Sequence, residues 1–107
     1  RWVVVVDGGS VRVTDEAGAS RAVAKAELAG VAIETNDSGP WGADVWWLLF
    51  GAHDGLACAF PMGATGEQAA VDYLSGLAGF DHGMMIEAMQ STDNMIFPVW
   101  RRRRGDD

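Results

Sequence analysis

The sequence predicts an α+β domain: a mostly antiparallel sheet of about five to six strands, two consecutive helices packed on it, and a C-terminal edge strand. Three observations carry this. Short β-branched or alternating apolar runs, separated by turn formers, occupy much of residues 2–60. Apolar residues then recur at helical spacing over about 66–78 and again over about 82–91. A last apolar run, Met95 to Trp100, contains a proline. Strands followed by helices, rather than alternating with them, point to helices gathered on one face of an antiparallel sheet.

The elements follow in order. Trp2 to Val6 and Val11 to Thr14 flank Asp7-Gly8-Gly9 and read as a β-hairpin. Asp15 to Gly18 is a turn. Residues 19–30 are alanine-rich and fit either a strand-like stretch with a short turn or one helical segment. Val31, Ile33 and Thr35 alternate with Ala32 and Glu34 as a half-exposed strand. Asn36 to Gly42 is dense in turn formers. Asp44 to Phe50 is the strongest strand. Val45, Trp47 and Leu49 line one face and Trp46, Leu48 and Phe50 the other, so both faces need cover. His53-Asp54-Gly55 turns the chain into a strand through Leu56, Cys58 and Phe60.

Thr65-Gly66-Glu67-Gln68 fits a capping box with Thr65 as N-cap. Ala70, Val71, Leu74 and Leu77 follow at helical spacing, with Gly79 as the stop. Asp81 caps the second helix, whose stripe is Met85, Ile86 and Met89. Pro98 has no N–H to donate, which assigns the last strand to an edge or a bulge.

Composition bounds function. The chain has 107 residues, one domain's worth, read as a body over 1–100 and a disordered tail over 101–107. Residues 1–100 carry four basic side chains against 13 acidic ones, and the last seven carry four arginines against two aspartates. An acidic body repels phosphate, so nucleic acid is not expected as a partner. No apolar run reaches the ~20 residues that cross a bilayer, so no membrane is expected either. Arg1 to Asp7 lacks the pattern of a signal peptide. The single cysteine, Cys58, rules out an internal disulfide and favours a reducing, cytoplasmic compartment.

Three stretches form a combination: Glu34 to Trp41 running on to Asp44-Val45-Trp46-Trp47, Phe60 to Glu67, and Gly79-Phe80-Asp81 leading to Glu87 to Asn94. Over roughly residues 30–100 the chain resembles a family of small, mostly proteobacterial, single-domain proteins of uncharacterised function. That resemblance implies no catalytic residues, because no activity is established for the family. The order of strands before a helix has a looser likeness to bacterial pleckstrin-homology-like domains, from which the second helix and closing strand depart.

The candidate site residues lie in two loops. Asp37, Trp41 and Asp44 surround a Gly-Pro turn, where paired carboxylates can share acid–base work. Thr65 and Glu67 open a helix, where free amides favour an anion. Each group has a plainer reading as a turn or cap residue, and no phosphate-loop lysine follows Gly66. His53 and His82 belong to no metal-spaced set, so no metal or cofactor is expected. Five tryptophans are many for this length. Trp46 and Trp47 point to opposite faces, and aromatic area beyond what two short helices cover suits an interface. The leading expectation is a non-enzymatic interaction module, with a homodimer or another protein as its partner. The rival is a small enzyme or small-molecule binder between the 36–44 and 61–67 loops.

Overall fold

A strand apolar on both faces belongs in the middle of a sheet, and Val45–Phe50 is found there. The computed structural model describes residues 1–37 and 45–103. Its strands form two antiparallel sheets rather than one. The first is a three-stranded meander of β1 (Val3–Val6), β2 (Ser10–Thr14) and β3 (Ser20–Ala24). The second has four strands, β4 (Gly30–Thr35), β5 (Val45–Phe50), β6 (Leu56–Pro61) and β7 (Met95–Arg101), in the order β6-β5-β4-β7. The helices are α1 (Glu67–Ser75) and α2 (His82–Gln90). None among the described residues is long and apolar enough to cross a membrane.

Register fixes the faces. Val31, Ile33 and Thr35 of β4 oppose Leu49, Trp47 and Val45 of β5, and Trp47 and Leu49 oppose Phe60 and Cys58 of β6. This inner face joins Val4, Val11, Val13 and Val23 of the first sheet, Leu74 of α1 and Ala88 of α2 in one core. The inner face is therefore covered by the first sheet together with the helices. Trp47 stacks between Phe60, at 6.3 Å, and Phe80, at 6.4 Å. Its indole N–H is buried with no acceptor among the described residues.

The local chemistry explains most boundaries. Asp7 Oδ1 accepts from the Gly9 and Ser10 amides, both at 2.8 Å, closing the first hairpin. Those amides hold the Asp7 carboxyl below its ordinary range. The ambiguous residues 19–30 resolve as β3 plus a 3-10 turn over Lys25–Glu27. Asp81 caps α2 by accepting from Met84 N at 2.9 Å. Pro98 lies on an edge strand and next to an irregularity, where the β4–β7 register slips between Val31 and Ala32.

Three expectations need correction. The capping box does not form: Gly66 is the N-cap residue of α1, at φ 88°, with no side-chain cap. Gln68 instead donates to Asp72 Oδ1 at 2.8 Å. Second, α1 ends at Ser75 rather than Ala78. Gly79, at φ 88°, reverses the chain so that Phe80 descends onto Trp47. Third, Arg101 and Arg102 belong to the fold and not to a free tail. Arg101 ends β7, and Arg102 donates to the carbonyls of Leu28 (2.9 Å) and Lys25 (3.1 Å).

The reason for Gly66 is a seam between the sheets. Thr65 N donates to Trp2 O at 2.9 Å and Val4 N donates to Thr65 O at 2.8 Å, a single parallel bridge. A side chain at Gly66 would collide with the Val4 carbonyl, whereas one at Gly79 meets open space. Gly79→Ala therefore costs only the left-handed backbone, about 1–2 kcal/mol. Gly66→Ala adds the broken seam and is expected to cost more than about 3 kcal/mol in urea unfolding. Equal costs would mean that the seam carries no stability.

Trp47 yields a second expectation. Trp47→Ala opens a cavity and should cost about 3–5 kcal/mol. Trp47→Phe also removes an unmet buried donor, whose burial costs about 1–3 kcal/mol, and its net effect should stay within about 1 kcal/mol. A Phe variant as unstable as the Ala variant would show that the N–H is satisfied.

Candidate functional site

The polar candidates make separate contacts, some within their own turn and some with residues distant in the chain. Asp37 is exposed just beyond β4, and its backbone N–H donates to Asn94 Oδ1 at 3.1 Å. Thr65 Oγ1 accepts from Arg1 Nε at 3.0 Å. Glu67 Oε1 accepts from Gly63 N at 3.0 Å, closing the turn before α1. His53 is exposed, in the left-handed region at φ 63° with Asp54 at φ 59°, and forms the β5–β6 turn. His82 rests on the Phe80 ring at 4.9 Å. Trp41 and Asp44 lie outside the described residues. No three His, Cys, Asp or Glu side chains among the described residues are placed to hold a metal.

The two tryptophans of β5 separate. Trp47 is fully buried and offers nothing to a partner. Trp46 is half-buried on the outer face, its ring edge-on to Trp2 at 5.2 Å. That outer face follows from register: Ala32 and Glu34 of β4 align with Leu48 and Trp46, and Leu48 aligns with Ala59 of β6. On β7, Ile96 and Pro98 oppose Glu34 and Ala32. Ala32 and Leu48 are buried yet lie outside the main core. Ile96, on the same face, is 57% exposed. A shallow groove of about 500 Å³ runs along this face over Gly30, Ala32, Phe50 and Pro98. The ion pair of Arg101 with Asp54, 3.4 Å, stands at its end.

A second, smaller concavity of about 210 Å³ lies beside edge strand β6. Trp2, Trp46, Cys58 and Arg21 line it. Sequence reasoning passed over Trp2 and Arg21. The available signal was phase: Arg21 alternates with Val23, which puts a cation on the inner face of a strand. The partner across the gap was not legible, because β3 and β6 meet only through the tertiary fold.

Comparison with known proteins finds no matching family model, no similar curated protein and no similar solved structure.

Cys58 is 1% exposed, and burial pushes its thiol up to about 11, against a smaller opposing effect of the Arg21 charge. The folded state thus holds the proton more tightly than the unfolded chain. The stability this contributes is full below about 9 and is lost as pH rises toward about 11. Unfolding midpoints across that window should fall more steeply for the wild type than for Cys58→Ala. At pH 8 a thiol reagent should label the protein only as fast as it opens; immediate labelling would contradict the burial.

Proposed function

We infer that this chain is a non-enzymatic interaction module that pairs with a second copy of itself through the outer face of the β6-β5-β4-β7 sheet. The observation that carries the reading is a sheet face, apolar from Ile96 through Leu48 to Ala59, which Trp2 covers at Trp46 and which leaves Ile96 exposed at the β7 side. The candidate acid–base and anion-binding groups support it from the other side. Asp37 lies just beyond β4, while Thr65 and Glu67 share the β6–α1 connection, where Thr65 accepts from Arg1 and Glu67 from Gly63. The acidic body disfavours nucleic acid. The reading also suits the family that the sequence motifs resemble, for which no activity is established.

Charge placement favours a second copy over an unrelated partner. Glu34 and Gly30 lie two residues either side of Ala32, and Arg101 pairs with Gly30. A twofold axis crossing the strands at Ala32 brings Glu34 of each copy beside Arg101 of the other, where it shares that cation with the exposed Asp54. Glu34 has no ion-pair partner within its own chain among the described residues. Size sets the strength. Three strands of six residues and one of seven present roughly 400 Å² of flat sheet, about half of what each partner buries in a standard interface. The dimer is therefore weak, with a dissociation constant in the high micromolar range.

Sedimentation velocity from low micromolar to about 1 mM protein tests this. The wild type should shift toward dimer across the series, and Ile96→Asp should stay monomeric. Glu34→Arg should weaken pairing, and adding Arg101→Glu should restore it. A wild type that remains monomeric throughout, or a double variant no better than Glu34→Arg, would overturn the reading.

A further inference from the structure

The concavity beside β6 combines features that the sheet-face reading does not use. Its aromatic wall is the edge-on pair Trp2 and Trp46, ring centroids 5.2 Å apart. Its floor is apolar, built from Val13, Cys58 and Ala59. Two charged residues stand at its mouth, Asp15 and Arg21, and their situations differ. Asp15 Oδ1 already accepts from Ala17 N (2.9 Å) and Ala19 N (3.0 Å), so its charge is spent on its own turn. Arg21 has no hydrogen bond or ion pair among the described residues. Its charge nonetheless reaches inward and is felt at the buried Cys58 thiol.

An unspent guanidinium is a fork of N–H donors that matches a carboxylate. Beside it lies a wall of indole rings, which favours a flat apolar body. The space, about 210 Å³, is below the 300–1,000 Å³ of drug-sized sites, so the ligand must be small. The acidic surroundings oppose any anion, which makes the local Arg21 charge decisive and keeps the affinity modest.

We propose that this concavity is a binding site for a small planar carboxylate, an aromatic or similarly flat acid, whose carboxylate pairs with Arg21 while its ring packs against Trp2 and Trp46. The site shares Trp46 and Ala59 with the outer sheet face of the dimer reading. Arg21 and Trp2 belong to the first sheet and the segment leading into it, so signals at those two residues distinguish ligand binding from pairing.

The test is an NMR titration of the full-length protein with benzoate, benzamide and acetate, following backbone amides and indole N–H signals. Benzoate should give saturable shifts confined to the Trp2 and Trp46 indoles and the Cys58 and Arg21 amides, with a dissociation constant on the order of 1 mM. Benzamide lacks the charge and acetate lacks the ring, and each should bind about tenfold more weakly or worse. Arg21→Gln should weaken benzoate by about tenfold, whereas Arg12→Gln, the same charge change on the opposite face of that sheet, should leave it within about twofold. The proposal is overturned by shifts that fail to saturate or map elsewhere, by benzamide equalling benzoate, or by Arg21→Gln binding like the wild type. The three-ligand comparison on the wild type decides even if Arg21→Gln does not fold.

Discussion

A backbone bridge between Val3 and Thr65 ties the first sheet to the connection between β6 and α1. It fixes where that sheet starts, and Val4, Val11, Val13 and Val23 pack the sheet into the shared core. Thr65 sits at the end of the turn leaving β6, so the seam ties the start of the first sheet to the second sheet and to the first turn of α1 at once. The closeness of the approach leaves no room for a Cβ at Gly66. The helix consequently forgoes a side-chain cap. Thr65 and Gln68, which a capping box would have employed, are released to Arg1 and Asp72, and Glu67 braces the Gly63 turn. The same seam holds the backbone of Trp2 and so sets its ring against Trp46. A backbone contact thereby creates a side-chain pocket.

The legible part of this fold is the part written in short-range pattern. Period-two alternation located β4, β5 and β6. The doubly apolar run Asp44 to Phe50 called for cover on both faces, and Pro98 marked an edge or a bulge. Asp7 and Asp81 announced a turn and a cap because their carboxylates act on amides two or three residues away. What was not legible depends on contacts distant in the chain. Nothing in residues 1–35 says that β3 ends one sheet and β4 begins another. The decision rests on the 3-10 turn at Lys25–Glu27, whose carbonyls are taken up by Arg102, 74 to 77 residues later. The Thr65 cap failed for the same reason, since its competitor, Val4, lies some sixty residues away.

The functional residues divide along the same line. Loops rich in Asp, Gly and Thr drew attention because their side chains are reactive types, yet the described ones are occupied by the turns they make. Arg21 was unremarkable in sequence as one of eight cations, and it becomes notable only because its neighbours in space are two indoles and a thiol and none is a carboxylate partner. Trp46 connects both surfaces: it belongs to the outer face by register and to the concavity through Trp2. A chain with so few basic groups in its body exposes one of them beside aromatic rings, at a real cost in pairing energy forgone.

The strand order has a kinetic meaning. β1-β2-β3 and β4-β5-β6 are meanders of neighbouring strands, each closed by short connections or a single loop. β7 must pair with β4 across both helices, joining Thr35 to Met95. Loop closure of that length delays the pairing relative to the local hairpins. While β7 is away, β4 presents an open edge carrying Val31 and Ile33, a template on which another chain can add. Once β7 docks, the outermost strand carries Pro98 and a register slip, and neither supports further pairing. Until β7 docks, the β4 edge is thus the sticky one, and docking removes the hazard from this side of the sheet.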